Sequence, residues 1–530
     1  MVQRFNRAFN PTSTPQSERI PGRPEMVQNS AGGYAFAVDD WKRLERFLII
    51  GTEGGTYYAT QRDITKESCE VVLRLIKKDG VGVVNKIVEI SDAGRAYKND
   101  PAIFVLALCF ANGDTAAKIA ARKALPKICR IGTHLFHFLM YVDNLRGWGK
   151  CLRKGVRNWY NSMPVSKLEL QAVKYRQRDG WSHRDALRLA HPQNEERNYI
   201  YRFMTRHDGN PFETTDADGL LYIFDQVQRE TNKRVIIQLI LEYNLPREVL
   251  PTQWLNDPDI WGALLNNMPL MAMVRNLGNM SKVGLLKPFD ESVNRVIGML
   301  ENDEMIAKSR IHPIHILTAL MVYAAGHSAR GKGEWTPVPQ VIDALDGAFY
   351  KAFKNIEPMG KNWLIGLDVS GSMDSDELMG IPGFTPRMAS AAMAMATIRA
   401  ESQYMTLGFT GQLVDLALSS KQRLDDVIRT VSGLPFGRTD CALPMLVATH
   451  NNLDVDVFAI YTDNETWFGN VHPCQALQEY RNKSGRNAKL VVVGATSSGF
   501  TIADPDDAGT LDVVGFDSAT PQVIADFARG

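Results

Sequence analysis

The sequence lacks several patterns that would assign a protein at once. Its six cysteines form no C-x-x-C pair, so neither a zinc knuckle nor a redox motif is supported, and six are too few for a disulfide scaffold in 530 residues. The N-terminus has no apolar signal-peptide core. The most apolar long stretch, IHPIHILTALMVYAAGH, contains histidines and is shorter than a membrane span. These absences predict a soluble, cytoplasmic protein with reduced thiols and no membrane partner.

A strong net charge is also missing, but the charge is unevenly distributed. The formal net charge is +1. Residues 361–530 contain 12 basic and 20 acidic residues, a net charge of −8, which leaves +9 on residues 1–360. A basic body joined to an acidic tail fits a polyanionic partner, and it equally fits a solvated helical surface. Charge alone therefore does not establish nucleic-acid binding.

Length and hydrophobic periodicity divide the chain into three parts. Residues 1–36 are polar and rich in Pro, Ser, Asn and Gly, which predicts an extended arm tied down by its aromatic residues. In residues 37–358 helix follows helix through short Gly, Pro or Asp turns, the pattern of paired helices stacked in the HEAT manner. Asp39 or Asp40 is a plausible N-cap of the first helix, and Gly51 a stop.

In residues 359–530 short β-branched runs alternate with helices, which predicts a doubly wound α/β domain with a parallel sheet. The strand candidates are WLIGLDV, YMTLGFT, LVDLAL, DVFAIYTD, KLVVVGAT and DVVGF. The helix candidates are PRMASAAMAMATIRAES, LDDVIRTVSG, HPCQALQEYRNKSG and TPQVIADFARG. Ligands bind at the carboxyl ends of the strands in such sheets.

Short oxygen-bearing side chains follow two of these strands. LDVSGSM places Asp368, Ser370 and Ser372 where the first strand ends, and IYTDNE places Asp463 at the end of another. GRTDCA supplies Thr439. Carboxylate and hydroxyl oxygens suit a hard cation such as Mg²⁺, so the sequence predicts a divalent-cation site. This D-x-S-x-S…T…D series resembles the metal-ion-dependent adhesion site of the von Willebrand factor A domain.

Other interpretations of the same residues account for less. A haloacid-dehalogenase-type phosphatase needs a second aspartate where Ser370 stands, and VSGSM is not the G-x-S-x-G elbow of a serine hydrolase. A helix cap explains one serine, but neither Thr439 nor Asp463. No general base is evident beside the cluster, because Asp440 and Glu465 are interpreted as solvated loop residues. We therefore expect a docking point for a partner carboxylate and no enzyme activity.

Three successive stretches of the helical part combine basic and aromatic residues. They are ARKALPKICRIGTHLF, LRGWGKCLRKGVRNWY and KYRQRDGWSHRDALRLAH. Arg and Lys neutralise phosphates, and aromatic or guanidinium planes stack on exposed bases. Any one stretch fits a solvated helix face, and Trp148, Trp159 and Trp181 individually fit packing between helices. Three such stretches in succession favour an RNA-binding surface over a solvated helix face.

Longer motifs resemble the TROVE module of the Ro autoantigen family. They are RFLIIGTEGGTYYA, KYRQRDGWSHRDALRLAHP, LNNMPLMAMVRNLGNM and RIHPIHILTALMVYAAGHSARGK. The acidic tail with LDVSGSM and YTDNE is similar to that family's A-type domain. The resemblance extends over nearly the whole chain from about residue 30, and the short arm favours a bacterial member.

The resemblance implies a fold and a function. HEAT-like helices would bend into a ring closed by the A-type domain. The outer basic surface would bind small noncoding Y RNA, the central hole would take the single-stranded end of misfolded RNA, and an exoribonuclease or another protein could dock at the metal. The RNA-binding residues that the resemblance implies are Arg130, Thr133, His134, Lys174, Arg178, His183 and Arg184.

Further family blocks contain Arg275 and Asn276, and also His327, Arg330 and Lys332, although HSARGK equally fits a linker into the A-type domain. Because Gly180 is interpreted as a helix stop signal, we expect His183 at a helix end or loop, displayed to solvent. The competing hypotheses are a metal-dependent adhesion protein without an RNA role and a metal-dependent nuclease. A two-metal nuclease needs more clustered carboxylates than the sequence supplies.

Overall fold

The helical and sheet-forming parts of the chain divide where the sequence pattern changes. The structure, a computed structural model, describes residues 13–51, 61–96, 98–205, 219–328, 333–353, 358–374, 384–434, 437–495, 498–515 and 520–529. Within those ranges no helix is both long and apolar enough to cross a membrane.

The first part is almost entirely helical, as the periodicity predicts. Its elements are β1 (Met26–Gln28), β2 (Tyr34–Ala37), α1 (Asp40–Ile50), α2 (Gln61–Ala93), α3 (Asp100–Asn112), α4 (Thr115–Ile128), α5 (Gly132–Leu145), α6 (Lys150–Ser162), α7 (Val165–Lys174), β3 (Gln177–Arg178), β4 (Trp181–Ser182), α8 (His183–Ala190), α9 (Asn198–Thr205), α10 (Leu220–Arg229), α11 (Lys233–Tyr243), α12 (Pro258–Leu265), α13 (Leu270–Lys282), α14 (Glu291–Glu301), α15 (Asp303–Ser309), α16 (Pro313–Ala325) and α17 (Pro339–Lys351).

The helices stack in two layers at the start of the array. Helices α2, α4, α6 and α8 pack in succession in one layer, and α1, α3 and α5 form the other, which is the HEAT-like arrangement of helix pairs. Local signals act as expected: the Asp39 carboxylate accepts a hydrogen bond from the Lys42 N–H at 2.9 Å and caps α1, and Gly51 ends it with φ 76°. Helix α2 is broken at Asp79, where φ is −154° and ψ is 76°.

The second part is a six-stranded sheet with helices around it. Its elements are β5 (Trp363–Asp368), α18 (Pro386–Ala400), β6 (Tyr404–Phe409), β7 (Leu413–Asp415), α19 (Leu424–Ser432), α20 (Leu443–His450), β8 (Val457–Thr462), α21 (Pro473–Ser484), β9 (Lys489–Gly494), β10 (Phe500–Thr501), β11 (Thr510–Val514) and α22 (Thr520–Arg529). The strand order is β11-β9-β8-β5-β6-β7, and every neighbouring pair is parallel except β6–β7. The six strand candidates and four helix candidates all correspond to elements here, whereas α20 had no sequence-based prediction.

The N-terminal arm belongs structurally to the sheet-forming part. β1 and β2 pair antiparallel, and β2 pairs with β10, so the arm adds two strands to a segment more than 460 residues further along the chain. Phe36 is buried beneath the Arg23 guanidinium, 4.8 Å from the ring centroid, so an aromatic residue does help to hold the arm. The first 12 residues of the predicted arm lie outside the described residues.

Both ends of the helical array meet the sheet-forming part. At α1, the buried Arg46 donates to both carboxylate oxygens of Asp512 on β11, each at 2.7 Å. At α17, the Asp346 carboxylate accepts from the Leu424 N–H at the start of α19, at 2.9 Å. His312, which caps α16, also lies against the backbone of Arg95, which follows α2. The early and late helices therefore come together beside the same domain, as closure of the array requires.

Candidate metal centre and nucleic-acid interface

Four of the five predicted metal ligands, Asp368, Ser370, Ser372 and Asp463, lie together at the carboxyl ends of two adjacent strands. β5 and β8 are parallel neighbours, so Asp368 at the end of β5 lies beside the loop that carries Asp463. Asp368 accepts hydrogen bonds from the Ser370 N–H at 3.0 Å and from the Thr462 hydroxyl at 2.7 Å. The Ser370 and Ser372 hydroxyl oxygens are 3.0 Å apart.

The third segment is fixed to the same loops. The Thr439 carbonyl accepts from the N–H groups of Trp467 and Phe468, at 3.2 and 3.0 Å. Its side chain is buried, and Thr439 Oγ1 makes no hydrogen bond with any residue that the structure describes. A buried hydroxyl with nothing to bind is costly and marks a place for a ligand atom.

The electrostatics of the cluster also fit a cation. Asp368 and Asp463 are both buried. Burial, followed by the nearby Asp463 carboxylate, raises the pKa of Asp368 to about 7, and burial also raises the pKa of Asp463. A divalent cation would relieve this repulsion, and carboxylate and hydroxyl oxygens are ligands that Mg²⁺ accepts. In the described part of the chain no three His, Cys, Asp or Glu side chains form a metal cluster, so the centre depends on its hydroxyl groups.

Two residues outside the motif shape this centre. Arg387 on α18 is buried and donates to the carbonyls of Val369 and Ser370, at 2.7 and 3.0 Å, which fixes the loop after β5. Thr462 orients the Asp368 carboxylate. In the sequence, the only feature that could have pointed to Arg387 was an arginine among the small residues of a predicted helix.

The interpretation of Asp440 and Glu465 as solvated loop residues is wrong, because both are buried. The arm contacts each of them. Gln16 donates to the Asp440 carboxylate at 2.7 Å, and the Ala31 N–H donates to Glu465 at 3.0 Å. Burial, followed by the Asp463 carboxylate, raises the pKa of Glu465 to about 8. The arm thus supports the loop that carries Asp463.

The residues implied for RNA binding gather around the N-terminus of α5. Gly132 lies close to α7 and α8, since its N–H donates to Gln171 at 2.8 Å and a Cβ there would be 3.2 Å from the His183 ring. Arg130 is exposed and donates to the Ser91 carbonyl at 2.6 Å. Arg178 is exposed on the β3–β4 hairpin. The half-buried members are Thr133, His134, Lys174 and Arg184.

The prediction that His183 is displayed to solvent is wrong. It does begin α8, but the side chain is buried, with the Tyr160 hydroxyl 2.8 Å from Nδ1 and the Gln171 carbonyl 3.3 Å from Nε2. Burial lowers its pKa to about 4. The Phe136 and Trp159 rings pack around it, so His183 supports the surface from beneath. Apolar neighbours from α5 and α6 explain the difference, and they are not adjacent in sequence.

The additional family blocks have mixed positions. Arg275 is exposed, whereas Asn276 is buried and accepts from Arg247 at 2.9 Å. His327 is exposed between α16 and α17, so HSARGK lies within the helical part and is not the linker to the sheet. Arg330 and Lys332 lie outside the described residues.

An exposed basic stripe follows α6. Lys150, Arg153, Lys154 and Arg157 recur at three- and four-residue spacing, and all four are exposed. On the adjacent α4, Lys123 and Lys127 are also exposed. The tryptophans of this region pack as expected: Trp159 is buried, and Trp148 lies 5.8 Å from Trp181 between ring centroids.

Comparisons with known proteins agree with this architecture. A family profile described as the TROVE domain matches residues 27–218 and 238–322, and one described as the Ro60 vWA domain matches residues 362–528. Fold and site together define a protein that joins a TROVE helical module to a von Willebrand factor A domain. The chain is 43% identical over 530 residues to the RNA-binding protein RO60 of Deinococcus radiodurans, covering 99% of each chain. It belongs to the Ro60 family.

Two further relatives support the assignment. The RNA-binding protein RO60 of Caenorhabditis elegans is 34% identical over 597 residues, covering 97% of this chain and 92% of that protein. The crystal structure of the Deinococcus radiodurans RO (RSR) protein superposes with a TM-score of 0.71 at 42% identity, covering 93% of this chain and 100% of that one.

Proposed function

We propose that this protein is a non-catalytic RNA-binding scaffold that binds small noncoding RNA of the Y type on its outer basic surface. The names of the two RO60 relatives support RNA as the ligand. The observation that carries the proposal is the concentration of uncompensated positive charge on α4 and α6. On these two helices, the exposed cations that form no ion pair with a described residue are Lys123, Lys127, Lys150, Arg153, Lys154 and Arg157.

Uncompensated cations at helical spacing suit the phosphates of a folded RNA. Some surface cations elsewhere in the helical part are paired instead, as Lys308 is with Glu304 and Lys233 with Asp257 and Asp259. A cation without a carboxylate partner gains free energy when it displaces counterions from a phosphate backbone. The hairpin and the N-terminus of α5 would continue this surface with groups that contact bases or sugars.

A second RNA mode follows from the meeting of both array ends at the sheet domain. If the array encloses a hole, a single strand can enter it, but an A-form duplex about 20 Å across cannot. We propose that the 3′ end of a misfolded RNA is held there, which would serve RNA quality control. Structured RNA outside and single-stranded ends inside would then be separate ligands of one protein.

The metal centre is proposed to dock a protein partner, for example an exoribonuclease, with Asp368, Ser370, Ser372, Thr439 and Asp463 holding Mg²⁺. When bound, the metal would supply a positive charge for a partner carboxylate. The two carboxylates of the ligand set are fewer than a two-metal nuclease needs. Asp440 and Glu465, the other buried acids of these loops, are both hydrogen-bonded to the arm. These features favour docking over RNA cleavage.

Binding of a labelled hairpin RNA, with and without a single-stranded 3′ tail, tests the function. Anisotropy gives the affinity in Mg²⁺ and in EDTA, and a denaturing gel shows whether the RNA is cut. We expect both RNAs to bind, the tail to add affinity, EDTA to change little, and the RNA to stay intact. Absence of RNA binding would leave the metal-dependent adhesion protein as the better account, and Mg²⁺-dependent cleavage would establish a nuclease.

A further inference from the structure

A short hairpin between α7 and α8 projects next to the N-terminus of α5. β3 and β4 pair antiparallel, with Arg178 opposite Trp181 and Gln177 opposite Ser182. The two turn residues, Asp179 and Gly180, have φ of 52° and 77°. A left-handed backbone at both central positions is typical of the two-residue hairpin turn that Asn-Gly and Asp-Gly sequences favour. The twist of this turn matches the twist of the two strands. The turn conformation therefore accepts either Asn or Asp at position 179.

The Asp179 carboxylate does more than close the turn. One oxygen contacts Nδ1 of His137 on α5, and the other lies 3.5 Å from Nε of Arg178. The second ring nitrogen of His137 faces Asp100 at the start of α3, at 3.8 Å. The His137 side chain is largely buried, with 16% of its surface exposed. The hairpin is thus attached at its tip to a helix of the packed array.

Of the cations Lys174, Arg176 and Arg178, only Arg178 has its described contact within the hairpin itself. Lys174 lies 3.6 Å from Glu248 and over the Tyr175 ring, and Arg176 lies over the Phe224 ring. Arg178 keeps 59% of its side chain exposed and its guanidinium is oriented by the adjacent Asp179. The three-residue chain from His137 through Asp179 to Arg178 connects an exposed guanidinium to the interior.

We propose that this hairpin is an RNA-contacting element and that His137 and Asp179 are positioning residues that hold Arg178 toward an RNA phosphate. The inference rests on the proposed RNA-binding function and deepens it. An arginine held in place loses less conformational entropy on binding, and its planar fork can contact a phosphate through two N–H groups. Without such a positioning role, the Asp179 carboxylate beside Arg178 would only repel the RNA phosphates.

Asp179→Asn separates positioning from charge. Asn keeps the turn and the volume but removes the negative charge. If Asp179 acts only as a charge near the RNA, the variant binds tighter. If it positions Arg178, the variant binds a hairpin RNA about threefold or more weaker. His137→Phe, which keeps the packing volume, should weaken binding by a similar factor. Asp143→Asn is the matched control, because it removes an exposed carboxylate charge from α5, the helix of His137, at a position away from the hairpin.

A double-mutant cycle and amide exchange complete the test. Arg178→Ala should weaken binding about tenfold, and Arg178→Ala with Asp179→Asn should lose no more than Arg178→Ala alone. Amide exchange at residues 176–182 should quicken in Asp179→Asn and His137→Phe at an unchanged melting temperature. Additive losses, or wild-type affinity in both positioning variants, overturn the proposal while RNA binding stands. Absence of RNA binding by the unmodified protein removes the proposed function and this inference together.

Discussion

At the residue scale, burial decides the chemistry of the metal centre. Asp368, Asp463 and Thr439 are each almost completely inaccessible to solvent, and the two carboxylates raise each other's cost of ionisation. The sequence predicted which oxygens would meet, because the D-x-S-x-S spacing and two strand ends are local signals. It could not predict the supporting Arg387 or the burial of Glu465, because both depend on segments far apart along the chain.

Asp368→Asn should abolish divalent-metal binding and leave RNA affinity within about twofold. The variant keeps the shape of the side chain but removes a charge that the cation would neutralise, so the metal-free protein should be at least as stable as the unmodified one. Titration calorimetry with Mg²⁺ and Mn²⁺ measures the affinity for the metal. Asp415→Asn, on the exposed edge strand β7, is the control. Metal binding that survives in Asp368→Asn would exclude Asp368 as a ligand.

His183 should make stability depend on pH. Its folded pKa of about 4 lies below the usual value of about 6.5, so the unfolded chain binds the proton first as the pH falls. Stability is therefore lost between pH 6.5 and 4, by about 2 kcal/mol at pH 5 from this residue. His183→Gln should be less stable at pH 7, through its lost packing and hydrogen bond, and its deficit should shrink at pH 5.

Urea unfolding at the two pH values measures this change. The exposed His191, which follows the C-terminal end of α8, is the control, because His191→Gln should show the same small difference at both pH values. A His183→Gln deficit that stays constant with pH would show that His183 is not a buried neutral imidazole. The RNA affinity of His183→Gln should fall only if the loss of the buried imidazole displaces the exposed residues that it supports.

At the element scale, the sequence predicted the strands of the main sheet better than its accessory elements. β5, β6, β8 and β9 are short, mainly apolar and largely buried runs with helices between them, and that signal is local. α20 was missed because LPMLVATH is short and apolar all round, so periodicity cannot separate it from a strand. β1 and β2 were missed because they are only 3 and 4 residues long, and because β10, the second partner of β2, follows far along the chain.

The arm should be needed for the metal centre as well as for the fold. A Cβ on Gly33 would lie 2.0 Å from the Thr466 carbonyl oxygen and 2.7 Å from Trp467 Cα, and neither backbone atom can rotate away. Gly33→Ala should therefore displace the arm from the loop after Asp463, lowering both the melting temperature and the affinity for Mg²⁺. Gly347→Ala on α17, where nothing lies within 4 Å, should stabilise by up to about 1 kcal/mol. If Gly33→Ala leaves the melting temperature and the affinity for Mg²⁺ unchanged, the arm does not support the metal centre.

At the scale of the whole molecule, two differently charged parts are proposed to carry two separable sites. The sequence predicted this division from a net charge of +9 on residues 1–360 and −8 on residues 361–530. It did not predict how the parts meet, because the Arg46–Asp512 and Asp346–Leu424 contacts join residues 466 and 78 positions apart. Local periodicity contains no information about such pairs.

The salt dependence of RNA binding tests the basic surface most directly. The test variant is Arg153→Gln with Lys154→Gln on α6, and the matched control is Lys287→Gln with Lys308→Gln, which removes the same charge from exposed positions elsewhere in the helical part. We expect the α6 variant to bind a hairpin RNA at least about tenfold weaker, with a log–log salt slope shallower by roughly one to two, while the control matches the unmodified protein. Equal affinity and equal slope in all three proteins would contradict RNA binding on this surface.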